Sequence, residues 1–172
     1  MKVGDIEFRL ARVEDADAIA ALLYGSFLEY EMLYTPRGFQ ATTPGSDVVQ
    51  QRMNEGPVWI ASLDEKVVGS VAVVAESEDS LYIRGMAVLP SARGKAIGKT
   101  MLTQVEDYAR KHGFRRMFLS TTPFLDCAIA LYEHFGFCRT PDGSHDLFGT
   151  PLFTMEKSVS SATNELSADF AD

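Results

Sequence analysis

Apolar and polar positions along this chain follow two rhythms, and the switches between them mark the elements. Ile6 to Leu10 reads as an edge or first strand. Glu14 to Tyr24 then sets Ala16, Ile19, Ala20 and Leu23 at helical spacing behind an acidic first turn that suits the helix dipole. Phe27 to Tyr34 predicts a second short helix, Pro36 to Gly45 a loop rich in Pro, Gly and Thr, and Val48 to Asn54 a further helical turn. Val58 to Leu63 and Val67 to Val74 are apolar runs joined by Asp64-Glu65-Lys66, a hairpin signal. After a polar turn from Glu76 to Ser80, Leu81 to Val88 supplies the third strand of the meander.

The period then lengthens. Ile97, Met101, Leu102, Val105 and Ala109 form one stripe of a helix from Gly98 to Lys111, which His112-Gly113 ends. Met117 to Thr121 predicts a short strand. Asp126 is placed as the N-cap of a helix that runs to Phe135 and is closed by Gly136. Phe137-Cys138-Arg139 and Leu152 to Lys157 predict the last strands. Residues 158–172, polar and poor in apolar side chains, predict a disordered tail behind a domain spanning residues 1–157. Strands and helices in this order predict an α/β fold: one domain, a mixed twisted sheet with helices on both faces.

Composition narrows the class. At 172 residues, with 46% hydrophobic and 23% charged residues, the chain suits one globular domain. No apolar run approaches the roughly 18 residues of a membrane span, and no apolar segment follows Met1, so a cytoplasmic chain with no membrane partner is expected. Cys127 and Cys138 have no metal or redox spacing, and His112, His134 and His145 share no ligand pattern, so no metal is expected. A net charge of −8 argues against nucleic acid.

That charge is unevenly spread. Residues 84–116 carry 8 basic and 2 acidic residues, against the sign of the whole chain. The basic block surrounds Arg93-Gly94-Lys95-Ala96-Ile97-Gly98-Lys99, a turn that opens a helix. Free N–H groups at a helix start, the helix dipole and the absence of side chains at Gly94 and Gly98 together suit a diphosphate. A P-loop-like nucleotide site is an alternative that departs in spacing: G-x-x-x-x-G-K-[ST] needs four residues between its glycines, and three separate Gly94 from Gly98.

Two segments resemble the GCN5-related N-acetyltransferase family. Val88-Leu89-Pro90-Ser91-Ala92-Arg93-Gly94-Lys95-Ala96-Ile97-Gly98-Lys99 is similar to its Q/R-x-x-G-x-G/A coenzyme A loop, and Ala128 to Phe137 to its late helix ending in Gly-Phe. The resemblance covers roughly residues 6–157. It implies acetyl transfer from acetyl-coenzyme A to a primary amine, by direct attack on the thioester. It implies that Arg93, Gly94, Lys95, Ala96, Gly98 and Lys99 hold the pyrophosphate. Backbone groups of Met86, Ala87 and Val88 then pair with the pantetheine arm beside a bulge at Gly85, and Tyr132 protonates the departing thiolate.

Departures from the pattern are equally specific. Ala96 replaces a frequent glycine, Leu125 a frequent asparagine, and Tyr82 a frequent carboxylate base. The base is thus unassigned, with Glu29, Glu31, Glu76 and Glu78 as candidates through water. A non-catalytic coenzyme A sensor is the alternative that a missing base favours. The acceptor, a small molecule or a peptide amine, is expected beside Ser26 to Gly45, where Tyr24, Tyr30, Tyr34, Glu29 and Glu31 can face a cation. A homodimer is an open option.

Overall fold

A computed structural model of the chain describes residues 1–160. The strands are β1 (Lys2–Val3), β2 (Ile6–Leu10), β3 (Val58–Leu63), β4 (Lys66–Ala75), β5 (Ser80–Val88), β6 (Arg116–Thr121), β7 (Cys138–Arg139), β8 (His145–Leu147) and β9 (Thr150–Ser158). The α-helices are α1 (Ala16–Phe27), α2 (Pro36–Thr42), α3 (Ser46–Glu55), α4 (Ile97–Lys111) and α5 (Asp126–Phe135), with a 3-10 helix over Leu28–Leu33. The sheet order is β1-β2-β3-β4-β5-β6-β9-β7, and β8 pairs with β9. Every pairing is antiparallel except that of β5 with β6.

Alternation along the strands sorts the core into two layers. Trp59, Ala61, Val71, Val73, Leu81 and Ile83 face one side, where the stripe Ile97, Met101, Leu102, Val105 and Ala109 of α4 packs with Tyr132 of α5. Val58, Ile60 and Ala72 face the other side and meet Ala16, Ile19 and Leu23 of α1 and Val49 of α3. The predicted α/β sandwich is therefore present, with helices on both faces.

β5 breaks its own alternation. Ser70 pairs with Ala87 but Ala72 pairs with Arg84, so β5 carries one residue more than β4 across this stretch. Gly85 absorbs the extra residue at φ +57°, where a side chain is disfavoured. An inserted residue swaps the faces of everything beyond it. Leu81 and Ile83 thus belong to the α4 layer while Ala87, of the same parity, belongs to the α1 layer. The bulge expected at Gly85 is present.

Three expectations need correction. Pro36 to Gly45 is not wholly a loop, because Pro36–Thr42 forms α2. The Gly38 N–H donates to Thr35 Oγ1 at 3.0 Å, and Pro36 stands in the first turn. Thr35-Pro36 is an N-cap followed by a favoured first helical residue, a signal that the Pro and Gly content masked. Asp126 is the first residue of α5 rather than its cap; Leu125 holds the cap position and makes no side-chain cap bond. The domain also runs past residue 157. Ser158 pairs with Arg116, and the Val159 N–H donates to Arg115 O at 2.8 Å with its side chain buried. The rest of the expected tail, residues 161–172, lies outside the described residues.

Candidate active site

β5 and β6 pair only at Ser80 with Arg116, Leu81 with Met117 and Tyr82 with Phe118. Past Tyr82 the two strands part. A cavity of about 730 Å³ fills the wedge between them and runs to the start of α4. One of its walls is β5 from Tyr82 to Val88, the opposite wall is Leu119 to Thr122, and α5 closes the side with Leu125, Ala128, Leu131 and Tyr132. Arg84, Ala87 and Val88 pair with β4 along one edge, and among the described residues no strand pairs with residues 84–88 along the other, so that outer edge can accept an extended chain as an added strand.

At the α4 end the cavity meets bare main chain. Among the described residues, no N–H from Gly94 to Lys99 has an acceptor, and the first bond of the turn runs from Thr100 N to Ala96 O at 3.0 Å. Gly94 at φ +82° and Ala96 at φ +59° curl the chain so that these groups cluster at the positive end of a 15-residue helix. Gly94 therefore serves backbone conformation. Gly98 serves packing, since a Cβ there would lie 2.7 Å from Leu131 Cδ2 of α5. The two glycines of one motif answer different constraints, which spacing alone did not separate.

Met86, Ala87, Val88, Arg93, Gly94, Ala96, Gly98, Lys99 and Tyr132 all line this one cavity, although up to 46 positions separate them. Lys95 does not. It stands exposed at the tip of the turn between two residues of positive φ, and only its N–H belongs to the cluster. Arg93 lines the cavity while Nη1 pairs with Glu29 Oε1 at 2.7 Å. Both partners are more than a third exposed, so this pair contributes at most about 1 kcal/mol and an incoming phosphate can displace it.

Tyr132 is 7% exposed, with its ring edge-on to Phe137 at 5.9 Å. Burial, and after it the neighbouring Tyr34, push its phenol well above the ordinary tyrosine value, so it keeps its proton at neutral pH. Burial likewise raises Tyr34 and Tyr82. Tyr82 stacks on Phe118 with ring centroids 5.0 Å apart.

The expected acidic candidates are not gathered here. Glu29 is held by Arg93, and Glu29, Glu31, Glu76 and Glu78 are all absent from the lining. Of the tyrosines expected beside the acceptor, Tyr30 and Tyr34 line the cavity and Tyr24 does not; Tyr24 packs edge-on to Phe39 instead. Two charged lining residues were missed. Arg52 comes from α3 and Arg84 from β5, on the face of the sheet that α1 and α3 cover. Arg84 lay inside the basic block, but nothing in the local sequence marks Arg52.

Comparison with known proteins now decides the family. The Acetyltransferase (GNAT) family profile matches residues 24–137. The chain belongs to the GNAT acetyltransferase family. It is an N-acetyltransferase that moves an acetyl group from acetyl-coenzyme A to an amine. The chain is 34% identical over 134 residues to the uncharacterized N-acetyltransferase YjgM of Escherichia coli, which covers 75% of this chain and 80% of that protein. Its fold matches that of yncA from Salmonella typhimurium, solved with its cofactor acetyl-CoA, at a TM-score of 0.72 and 20% identity over 91% of this chain and 95% of that one. It also matches the PaiA N-acetyltransferase of Thermoplasma acidophilum in complex with coenzyme A, at 0.70 and 20% identity over 89% and 98%. No helix among the described residues is long and apolar enough to cross a membrane, and none of their His, Cys, Asp and Glu side chains form a group of three that could hold a metal ion.

Proposed function

We propose that this GNAT enzyme works by direct transfer in the wedge between β5 and β6, with Tyr132 as its proton donor. The parting of those strands beside a run of bare N–H groups is the observation that carries the reading. The N–H groups from Gly94 to Lys99 bind the diphosphate, aided by Arg93 and Lys99. The free edge of Met86, Ala87 and Val88 binds the arm as a strand, and acetyl-coenzyme A supplies an already activated acyl carbon. An N–H of the bulged strand faces the carbonyl oxygen and stabilises the charge that develops there.

The chemistry needs one C–N bond made and one C–S bond broken. The amine loses a proton and the sulfur gains one. Among the described residues no carboxylate lines the cavity, so the amine attacks as its free base and its proton leaves through water. Tyr132, neutral and buried, donates to the sulfur. Positioning supplies most of the rate, since a thioester requires no further activation. The sensor reading has only the missing carboxylate in its favour, and a base is dispensable when the amine arrives unprotonated. The cytoplasm as location, a small-molecule or peptide acceptor, independence from nucleic acid and metal, and assembly as a monomer or homodimer complete the proposal. Two exposed free cysteines, Cys127 and Cys138, suit a reducing compartment.

Tyr132→Phe tests the assignment. The ring and its contact with Phe137 survive, so the dissociation constant for coenzyme A should not change. Turnover limited by chemistry should fall about 10²-fold, the lower range for a lost general acid. Wild-type turnover by a folded Tyr132→Phe enzyme would return this tyrosine to a packing role.

A further inference from the structure

We infer that the acceptor is an amino acid whose carboxylate is received by Arg52, with Arg84 in support; this rests on the transfer reading above. Among the described residues the cavity lining contains four basic side chains, Arg52, Arg84, Arg93 and Lys99, and no aspartate or glutamate. Arg93 and Lys99 belong to the diphosphate end at the start of α4. Arg52 and Arg84 stand at the other end, beside Tyr82 and the bulge, where the amine has to enter.

The ion pairs at that end leave one charge over. Arg84 Nη2 donates to Glu55 Oε2, which matches its charge. The Arg52 guanidinium has no carboxylate within salt-bridge reach and makes no hydrogen bond among the described residues. It is half-buried, and burial, followed by repulsion from Arg84, disfavours its charge. A guanidinium in that setting costs stability unless something anionic joins it. The cluster Arg52, Arg84 and Glu55 carries +1, which one carboxylate neutralises. The planar fork of Arg52 offers that carboxylate two parallel hydrogen bonds.

The same geometry limits the length of the acceptor. Arg52 Nη1 lies 3.0 Å from the place a Cβ would occupy on Gly85. Gly85 directly precedes Met86, where the donor arm is held, and neighbouring Cα atoms are about 3.8 Å apart. With the arm seated along Met86 to Val88 as proposed, a carboxylate on Arg52 lies close to that arm, which suits a short α- or β-amino acid. A polyamine would instead place a second cation against Arg52 and Arg84, where the one acid, Glu55, is already paired with Arg84.

Initial rates with acetyl-coenzyme A test this on matched pairs: small amino acids against their amides, and a diamine of similar length, compared per free amine. The acid is expected to exceed its amide about 10- to 100-fold in kcat/KM, the range for a charge-assisted bidentate contact. Arg52→Gln should remove that preference mainly through KM of the acid. Preference for the amide or the diamine would overturn the proposal while leaving acetyl transfer intact, as would an unchanged acid-to-amide ratio in Arg52→Gln. Turnover of no amine at all would overturn both. The wild-type ratio requires no variant, so it decides the matter even if Arg52→Gln folds poorly.

Discussion

At one end of the cavity the wall is main chain, and at the other it is side chains. The N–H groups from Gly94 to Lys99 and the free edge of β5 come from one continuous stretch of about twenty residues. The opposite end assembles Tyr30, Tyr34, Arg52, Tyr82 and Arg84 from the 3-10 helix, its flank, α3 and β5. A donor that is always the same molecule can be gripped by groups that every residue carries. An acceptor that differs between enzymes has to be chosen by side chains, and those are free to come from anywhere in the fold.

The contrast breaks most visibly at Gly98. Gly98→Pro removes an N–H of the cluster and drives a ring into Leu131, so coenzyme A affinity should fall at least about 10²-fold by calorimetry. Gly98→Ala keeps the N–H and adds only contacts with the side chains of Leu131 and Met86, so it should lose much less. Lys95→Ala, at the exposed tip, should change affinity less than about fivefold. A reversal of this order would mean that side-chain charge, rather than main chain, holds the donor.

A smaller effect separates the two ends by pH. Main chain does not titrate, but the tyrosines that line the rest of the cavity do. Tyr34, Tyr82 and Tyr132 all have raised values in the folded protein. Above about pH 10 the unfolded chain loses these protons while the folded chain keeps them. Their stabilisation is therefore complete below about pH 10 and is lost as pH rises beyond it, with a slope of at most about 1.4 kcal/mol per pH unit for each phenol. Urea midpoints measured between about pH 8 and pH 11 should show this decline. Tyr132→Phe should flatten it, and an equally steep decline in that variant would show that Tyr132 does not contribute.

The smallest change is expected at Ala96. Its φ of +59° puts a methyl group in the left-handed region, at a cost of about 1 kcal/mol. Glycine removes that cost but adds freedom to the unfolded chain. Ala96→Gly should thus raise the melting temperature by no more than about 3 °C. A lowered melting temperature would show that the methyl group makes a contact worth more than its strain.

What the sequence determined by itself is local. The stripe of α4, the hairpin of β3 and β4, the glycine turn and the closing Gly136-Phe137 each depend on residues within a few positions of one another. So does the α4 end of the cavity, because a turn that bares N–H groups at a helix start is written in adjacent residues. Even α2 was legible in Thr35-Pro36, though Pro and Gly content nearby hid it. Only the tertiary structure decided the rest. It parted β5 from β6 after Tyr82, gave Gly94 and Gly98 separate tasks, and left Lys95 outside the cavity. It also held Glu29 on Arg93 and carried Arg52 across from α3 to the bulge at Gly85. The physical reason is that a side chain's partner is set by packing across the sheet, and α3 and β5 meet only because Val49, Val58, Ala72 and Ala87 share one apolar layer. Periodicity announces such a layer, but it does not say which polar residue at its rim will face the cavity.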